Sequence, residues 1–145
     1  MITSDEFCNG RGRLDERMDT IPEEDMLFEM AAIGDLDGQH SVWIRSRDGG
    51  QIPHFHVVDS RTIGKKFNSA IFITDNRYFT HGQAKDVLSE KMRKKLMVFL
   101  RQADEDGESN WEYLVKTWNK NNSSTKVPNE TKRNMPDYTE IKPYK

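Results

Sequence analysis

The chain has 145 residues, of which 34% are hydrophobic and 32% are charged, and its formal net charge is −2. A chain of this length normally forms one domain with its own core, and its near-neutral charge predicts no particular class of partner. Its single cysteine, Cys8, excludes an internal disulfide, and no apolar run is long enough to span a membrane. We therefore expect a cytoplasmic protein.

Charge is distributed unevenly along the chain. Residues 1–25 contain eight acidic residues and three arginines, whereas residues 120–145 contain six basic and three acidic residues. The apolar residues are concentrated between these two ends. We therefore expect an acidic disordered leader at 1–25, a single domain at 26–120 and a polar basic tail at 121–145.

The first half of that domain predicts an antiparallel meander of three strands. An apolar run covers 26–33, β-branched and aromatic residues cover 41–45, and a third run covers 53–58. Glycine-containing turn sequences separate them at 35–38 and 48–50, where Asp-Gly pairs are typical of tight hairpins.

The second half predicts two further strand segments and then two helices. A polar connection at 59–67 precedes an apolar strand at 69–74 and a short segment at 77–80. Apolar residues then recur at helical spacing after Ser89, a candidate N-cap. The second helix follows Ser109, which forms a capping-box sequence with Glu112.

This order of elements predicts an α+β fold. We expect an antiparallel sheet of about four to five strands with two C-terminal helices packed on one face.

Two histidines stand out on the third predicted strand. Side chains alternate along a strand, so His54 and His56 share one face, and the same parity places Trp43 and Arg45 on that face of the neighbouring strand. If the helices cover the opposite face, these four side chains are exposed to solvent.

Three interpretations of the histidine pair follow. In the first, His54 and His56 act as an acid–base pair, with His81 as a third catalytic candidate and with Arg45 and Trp43 binding a phosphate-bearing substrate. Such a ribonuclease needs no metal ion, and we expect no cofactor for it.

In the second interpretation, His54 and His56 are metal ligands, because alternating histidines on one strand converge on a single ion. A third ligand is then required, and the candidates are His81, Asp59 and His40. In the third interpretation, the pair only forms hydrogen bonds with neighbouring loops and fills a half-covered face of the sheet.

The motifs also resemble a known family, the bacterial domain of unknown function 4160. The similarity covers about residues 26–120 and depends on the strand at 53–57 (Pro-His-Phe-His-Val), the apolar strand at 70–73, and the helix with Asn110-Trp111-Glu112 and Trp118. The connection at 59–67, the acidic leader and the Met-Pro-Asp-Tyr sequence at 135–138 depart from the family pattern.

Members of this family are often found beside a second small protein, and some such pairs behave as toxin–antitoxin modules. The resemblance therefore implies that this chain acts together with a second small protein. We therefore expect a toxin-like component of a bacterial two-gene module that acts on RNA and has a small cognate protein as its partner. The alternative is a non-enzymatic adaptor that binds another protein. We expect no association with a membrane.

Overall fold

A six-stranded sheet organises the chain in a computed structural model that describes residues 30–45 and 52–144. The strands lie in the sheet in chain order: β1 (Met30–Asp35), β2 (His40–Arg45), β3 (His54–Asp59), β4 (Asn68–Phe72), β5 (Arg77–Phe79) and β6 (Lys142–Pro143). Consecutive strands from β1 to β5 are antiparallel, and β6 is parallel to β5.

Two main helices follow the first five strands, and their capping residues define where they begin. Helix α1 (Glu90–Arg101) starts after Ser89, whose side chain accepts a hydrogen bond from the backbone N–H of Met92. Helix α2 (Asn110–Asn121) starts with both hydrogen bonds of the Ser109–Glu112 capping box. The two serines mark the starts of the helices because a capping side chain satisfies N–H groups that have no partner inside the helix.

Beyond α2, the described residues form two short helical segments before the last strand. They are α3 (Asn129–Arg133) and a 3₁₀ turn at Tyr138–Glu140. Within the described part of the chain, no helix has the length and apolar character needed to cross a membrane.

The predicted α+β class, with a mostly antiparallel sheet followed by two main helices, is confirmed. The expected acidic leader, Cys8, the start of the first strand at 26–29 and the turn at 48–50 lie outside the described residues.

The main core lies between the helices and one face of the sheet. As expected, that face carries Val42, Ile44, Phe55 and Val57, and all four side chains are fully buried. The helices contribute buried apolar residues at helical spacing: Leu96, Leu100, Leu114, Val115 and Trp118. The hydrophobic effect therefore joins the two layers through this face.

The segment expected to be a polar basic tail at 121–145 contains a residue that packs into the core. Tyr138 is fully buried in the core, and its hydroxyl donates hydrogen bonds to the carbonyls of Phe72 and Ile73 at 2.7 and 3.2 Å. The composition of this segment is polar, but one large aromatic side chain is enough to anchor it. The same return of the chain supplies β6, the sixth strand of the sheet.

Candidate metal centre

Strand register places His54 and His56 of β3 on the same face of the sheet as Phe79 of β5. His56 pairs with Trp43 on β2 and with Ala70 on β4, and Ala70 in turn pairs with Phe79 on β5. These residues therefore share one face of the sheet, opposite the main core. His81 follows Phe79 by two residues and continues the chain along that face.

Three imidazole rings form a triangle at this point. The ring centroids of His54 and His56 are 5.1 Å apart, and the centroid of His81 lies 5.3 Å from His54 and 5.1 Å from His56. The two histidines of the strand therefore share a side, and His81 joins them from the segment after β5.

The expected exposure of this face is wrong for the two histidines of the strand. His54 is 0% exposed and His56 is 2% exposed. The ring of His54 lies 5.0 Å from that of Phe79 and 5.5 Å from that of Trp118, between centroids. Aromatic packing thus covers residues that strand parity alone placed on a free surface.

Hydrogen bonds determine which ring nitrogens can act as ligands. Nδ1 of His54 lies 2.9 Å from the carbonyl oxygen of Ile52, and Nδ1 of His56 lies 2.9 Å from Oδ1 of Asn68. Both partner oxygens are acceptors only, so each Nδ1 must carry a proton, and in the neutral form of either ring the lone pair lies on Nε2. Histidines that bind a metal through one ring nitrogen typically donate such a hydrogen bond from the other ring nitrogen.

The three histidines each offer one ligand atom, and these atoms all lie within 4.8 Å of one another. Tetrahedral zinc with Zn–N bonds of about 2.0–2.1 Å places its ligand atoms about 3.4 Å apart. Each pair therefore closes by at most about 1.4 Å to reach one ion, which is within the range of side-chain rotation. Among residues 30–45 and 52–144, no other His, Cys, Asp or Glu belongs to this group.

Burial also determines the charge of His56. Desolvation, and then electrostatic repulsion by His54, His81 and Arg45, lower the pKa of His56 to about 3, although the hydrogen bond with Asn68 opposes this shift. The ring is therefore neutral at physiological pH. A neutral imidazole is the form that binds a metal, whereas a general base works best with a pKa near the working pH.

A cleft of about 160 Å³ opens beside two of the histidines. His56 and His81 line it together with Arg45, the polar side chains of Asn68 and Gln83, and the smaller or apolar residues Met30, Ile63, Gly82 and Ala84. Gly82 and Gln83 are exposed, so the cleft meets solvent at the segment after His81.

Trp43 lies on the expected face of the sheet, but it is buried and not exposed as we expected. It is 1% exposed, packs with Met30, Ala32 and Val58 in a small second core, and donates a hydrogen bond from Nε1 to Oγ of Ser41 at 3.2 Å. It does not line the cleft. A buried tryptophan on this face has a packing role, and of the two expected binding residues only Arg45 reaches the cleft.

The two other candidates for the third ligand are engaged elsewhere. Nδ1 of His40 lies 3.1 Å from the carboxylate of Asp37. Asp59 accepts hydrogen bonds from the loop that follows it, including the backbone N–H of Thr62 and of Gly64. His81 alone of the three joins the histidine pair.

The sequence did not identify Asn68, whose side-chain oxygen accepts the hydrogen bond from Nδ1 of His56. Asn68 begins β4 and pairs with Val58, two residues beyond His56. No local pattern marks it, because its partner is 12 residues away and the register of two strands decides the contact.

No family model, curated protein or solved structure matches this chain. The resemblance to the domain of unknown function 4160, and with it the role in a two-gene module beside a small cognate protein, stays a prediction.

Proposed function

We propose that this protein is a metal-binding domain in which His54, His56 and His81 hold one divalent transition-metal ion through Nε2. The observation that carries the proposal is the convergence of the three ligand atoms within 4.8 Å of one another. The Nδ1 hydrogen bonds of His54 and His56 support it, because they leave Nε2 as the nitrogen with the lone pair.

Three neutral nitrogen ligands favour particular ions. Imidazole suits zinc, copper, nickel and iron, whereas magnesium and calcium prefer oxygen ligands. Three protein ligands are also the number found in catalytic zinc sites, where water or substrate occupies the fourth position. The cleft beside His56 and His81 gives such a fourth ligand a place to bind.

The proposal is tested by metal titration of the full chain after it has been stripped with chelator and dialysed. Competition with a chromophoric chelator should give one Zn²⁺ per chain for the wild-type protein. The His81→Ala variant should bind at least about 10- to 100-fold more weakly, since even changes to the partners of a ligand cost that much.

His40→Ala is the matched control, because His40 is also partly buried and hydrogen-bonded but lies outside the cluster. It should bind Zn²⁺ as the wild type does. A wild-type chain that binds none of Zn²⁺, Co²⁺, Ni²⁺ or Cu²⁺ stoichiometrically, or a His81→Ala variant with unchanged affinity, would contradict the proposal.

A ribonuclease that works without a metal is the second candidate, favoured by the position of Arg45 in the same cleft as His56 and His81. The low pKa of His56 argues against that residue as the base near neutral pH. The two candidates are separated by an RNA-cleavage assay with stripped protein. Cleavage that persists in chelator and disappears in His56→Ala would favour the metal-free enzyme.

A further inference from the structure

Charge in the cleft has a consequence that goes beyond metal binding. A divalent ion on three neutral imidazoles keeps its full charge, and the guanidinium of Arg45 adds another positive charge to the same cleft. No carboxylate is among the described residues that line it. Two positive charges side by side in a partly buried cleft attract an anion.

Arg45 is placed to bind that anion. Its backbone is held at the end of β2, where its carbonyl accepts a hydrogen bond from Asn122 at 3.2 Å. Its Nε is buried, yet this atom has no hydrogen-bond partner among the residues that the structure describes. A guanidinium offers five donors in a planar fork, which matches two oxygens of one oxyanion.

The rim of the cleft carries two more backbone N–H groups. The chain turns at Gly82, whose φ of +54° lies in the left-handed region, and both Gly82 and Gln83 line the cleft. Within the described ranges, neither backbone N–H donates to another backbone group, whereas the neighbouring N–H groups of His81 and Ala84 do. Successive N–H groups at such a turn are typical of anion-binding concavities.

We propose that the cleft binds a phosphate ester, with one oxygen on the metal ion and others on the Arg45 guanidinium and the N–H groups of Gly82 and Gln83. This inference rests on the proposed metal site and names the class of ligand that the site takes. The metal ion, the Arg45 guanidinium and the two N–H groups together offer more interactions than the two oxygens of a carboxylate can accept. A phosphate group has more acceptor oxygens and can engage all of them.

The test uses the full chain loaded with Co²⁺, whose visible absorption changes when its coordination changes. Inorganic phosphate is titrated into the loaded protein, and the spectral change gives its affinity. We expect saturable binding to the wild type and an affinity about 10- to 100-fold lower in Arg45→Gln, the loss expected for charge-assisted hydrogen bonds. Co²⁺ affinity itself should not fall in this variant.

Two further variants complete the comparison. Arg101→Gln removes an exposed arginine on α1, in the helix layer, and should bind phosphate as the wild type does. Arg45→Lys keeps the charge but loses the fork, so it should bind more weakly than wild type and more tightly than Arg45→Gln. If circular dichroism shows that Arg45→Gln does not fold, the comparison of Arg45→Lys with wild type carries the test.

Competing ligands identify the source of the phosphate group. Methyl phosphate represents monoesters, dimethyl phosphate represents diesters such as the RNA backbone, and acetate represents carboxylates. At least one ester should displace inorganic phosphate, and acetate should compete much more weakly. Acetate that competes as well as both esters would overturn the assignment to phosphate.

The outcomes separate this inference from the metal proposal. Bound Co²⁺ with no response to phosphate, or with equal phosphate affinity in wild type and the Arg45 variants, overturns the phosphate inference and leaves the metal site intact. A chain that binds no Co²⁺ overturns the metal proposal, and the phosphate inference falls with it.

Discussion

The hydrogen bond between His56 and Asn68 connects a candidate metal ligand to the neighbouring strand. Nδ1 of His56 lies 2.9 Å from Oδ1 of Asn68, and both residues belong to strands whose register is set by the core. The amide oxygen fixes the orientation and the tautomer of the ring. In the proposed metal site, Asn68 positions the ring of His56 and is not itself a ligand.

Replacing Asn68 with alanine should therefore lower the affinity for Zn²⁺ by about 10- to 100-fold, the usual cost of losing such a partner. Chelator competition measures the change. Asn134→Ala is the control, because Asn134 is exposed and bonds only within its own helical segment. Equal affinity in the two variants would mean that the orientation of His56 does not depend on this bond.

Asp59 organises the connection between β3 and β4. Its carboxylate accepts hydrogen bonds from the Thr62 hydroxyl and from the backbone N–H groups of Thr62, Gly64, Lys66 and Phe67. Burial on its own raises the pKa of this carboxyl, but these hydrogen bonds, led by that of Thr62, hold it well below its usual range. The charged form is therefore the one that stabilises the loop.

A depressed pKa in the folded state gives a definite direction for the effect of pH. The stability from Asp59 is fully present above the unfolded-state pKa of about 4, begins to decline below it, and is lost as the pH falls through the lower folded-state pKa. Asp59→Asn should cost about 1 kcal/mol at pH 7 and measurably less at pH 3, since the wild-type contribution has begun to decline at that pH.

Urea unfolding at both pH values measures this difference. Asp106→Asn is the control, because Asp106 is exposed and its side chain has no comparable set of donors in the described structure. A cost for Asp59→Asn that is the same at pH 3 and pH 7 would exclude the carboxylate charge as its source.

Among the elements, those whose signals are local could be predicted from the sequence. Ser89 and Ser109 are the N-caps of their helices, as expected. Such caps are predictable because a capping hydrogen bond joins residues within one helical turn. The pairing of β6 with β5 was not predictable in this way. It joins residues more than 60 positions apart, and a two-residue strand has no periodicity to detect.

The C-terminal segment is held by Tyr138, and this gives a prediction for the stability of the whole domain. Tyr138→Ala should cost about 3–5 kcal/mol, as other aromatic-to-alanine changes in cores do. Tyr138→Phe keeps the packing and leaves the carbonyls of Phe72 and Ile73 without this donor, so it should cost about 1 kcal/mol.

Chemical denaturation of both variants measures these costs. Tyr144→Phe is the control, because the side chain of Tyr144 is 44% exposed. A Tyr138→Ala variant as stable as the wild type would show that the segment does not contribute to the core.

At the scale of the whole molecule, strand parity correctly assigned side chains to faces but not to environments. It placed Phe55 and Val57 toward the helices and His54 and His56 on the other side. It could not indicate that Phe79 and His81 would cover the second face, because that depends on how β5 packs beside β4. The location of the candidate site was thus predictable, whereas its burial was not.

The coordination shell of the loaded protein tests the central claim most directly. X-ray absorption at the zinc edge of the stoichiometrically loaded full chain should show a first shell of nitrogen and oxygen at about 2.0–2.1 Å, with the outer-shell scattering of three imidazole rings. His81→Ala should reduce that scattering to two rings. A wild-type shell that contains sulfur, or one without imidazole scattering, would contradict a metal centre built from His54, His56 and His81.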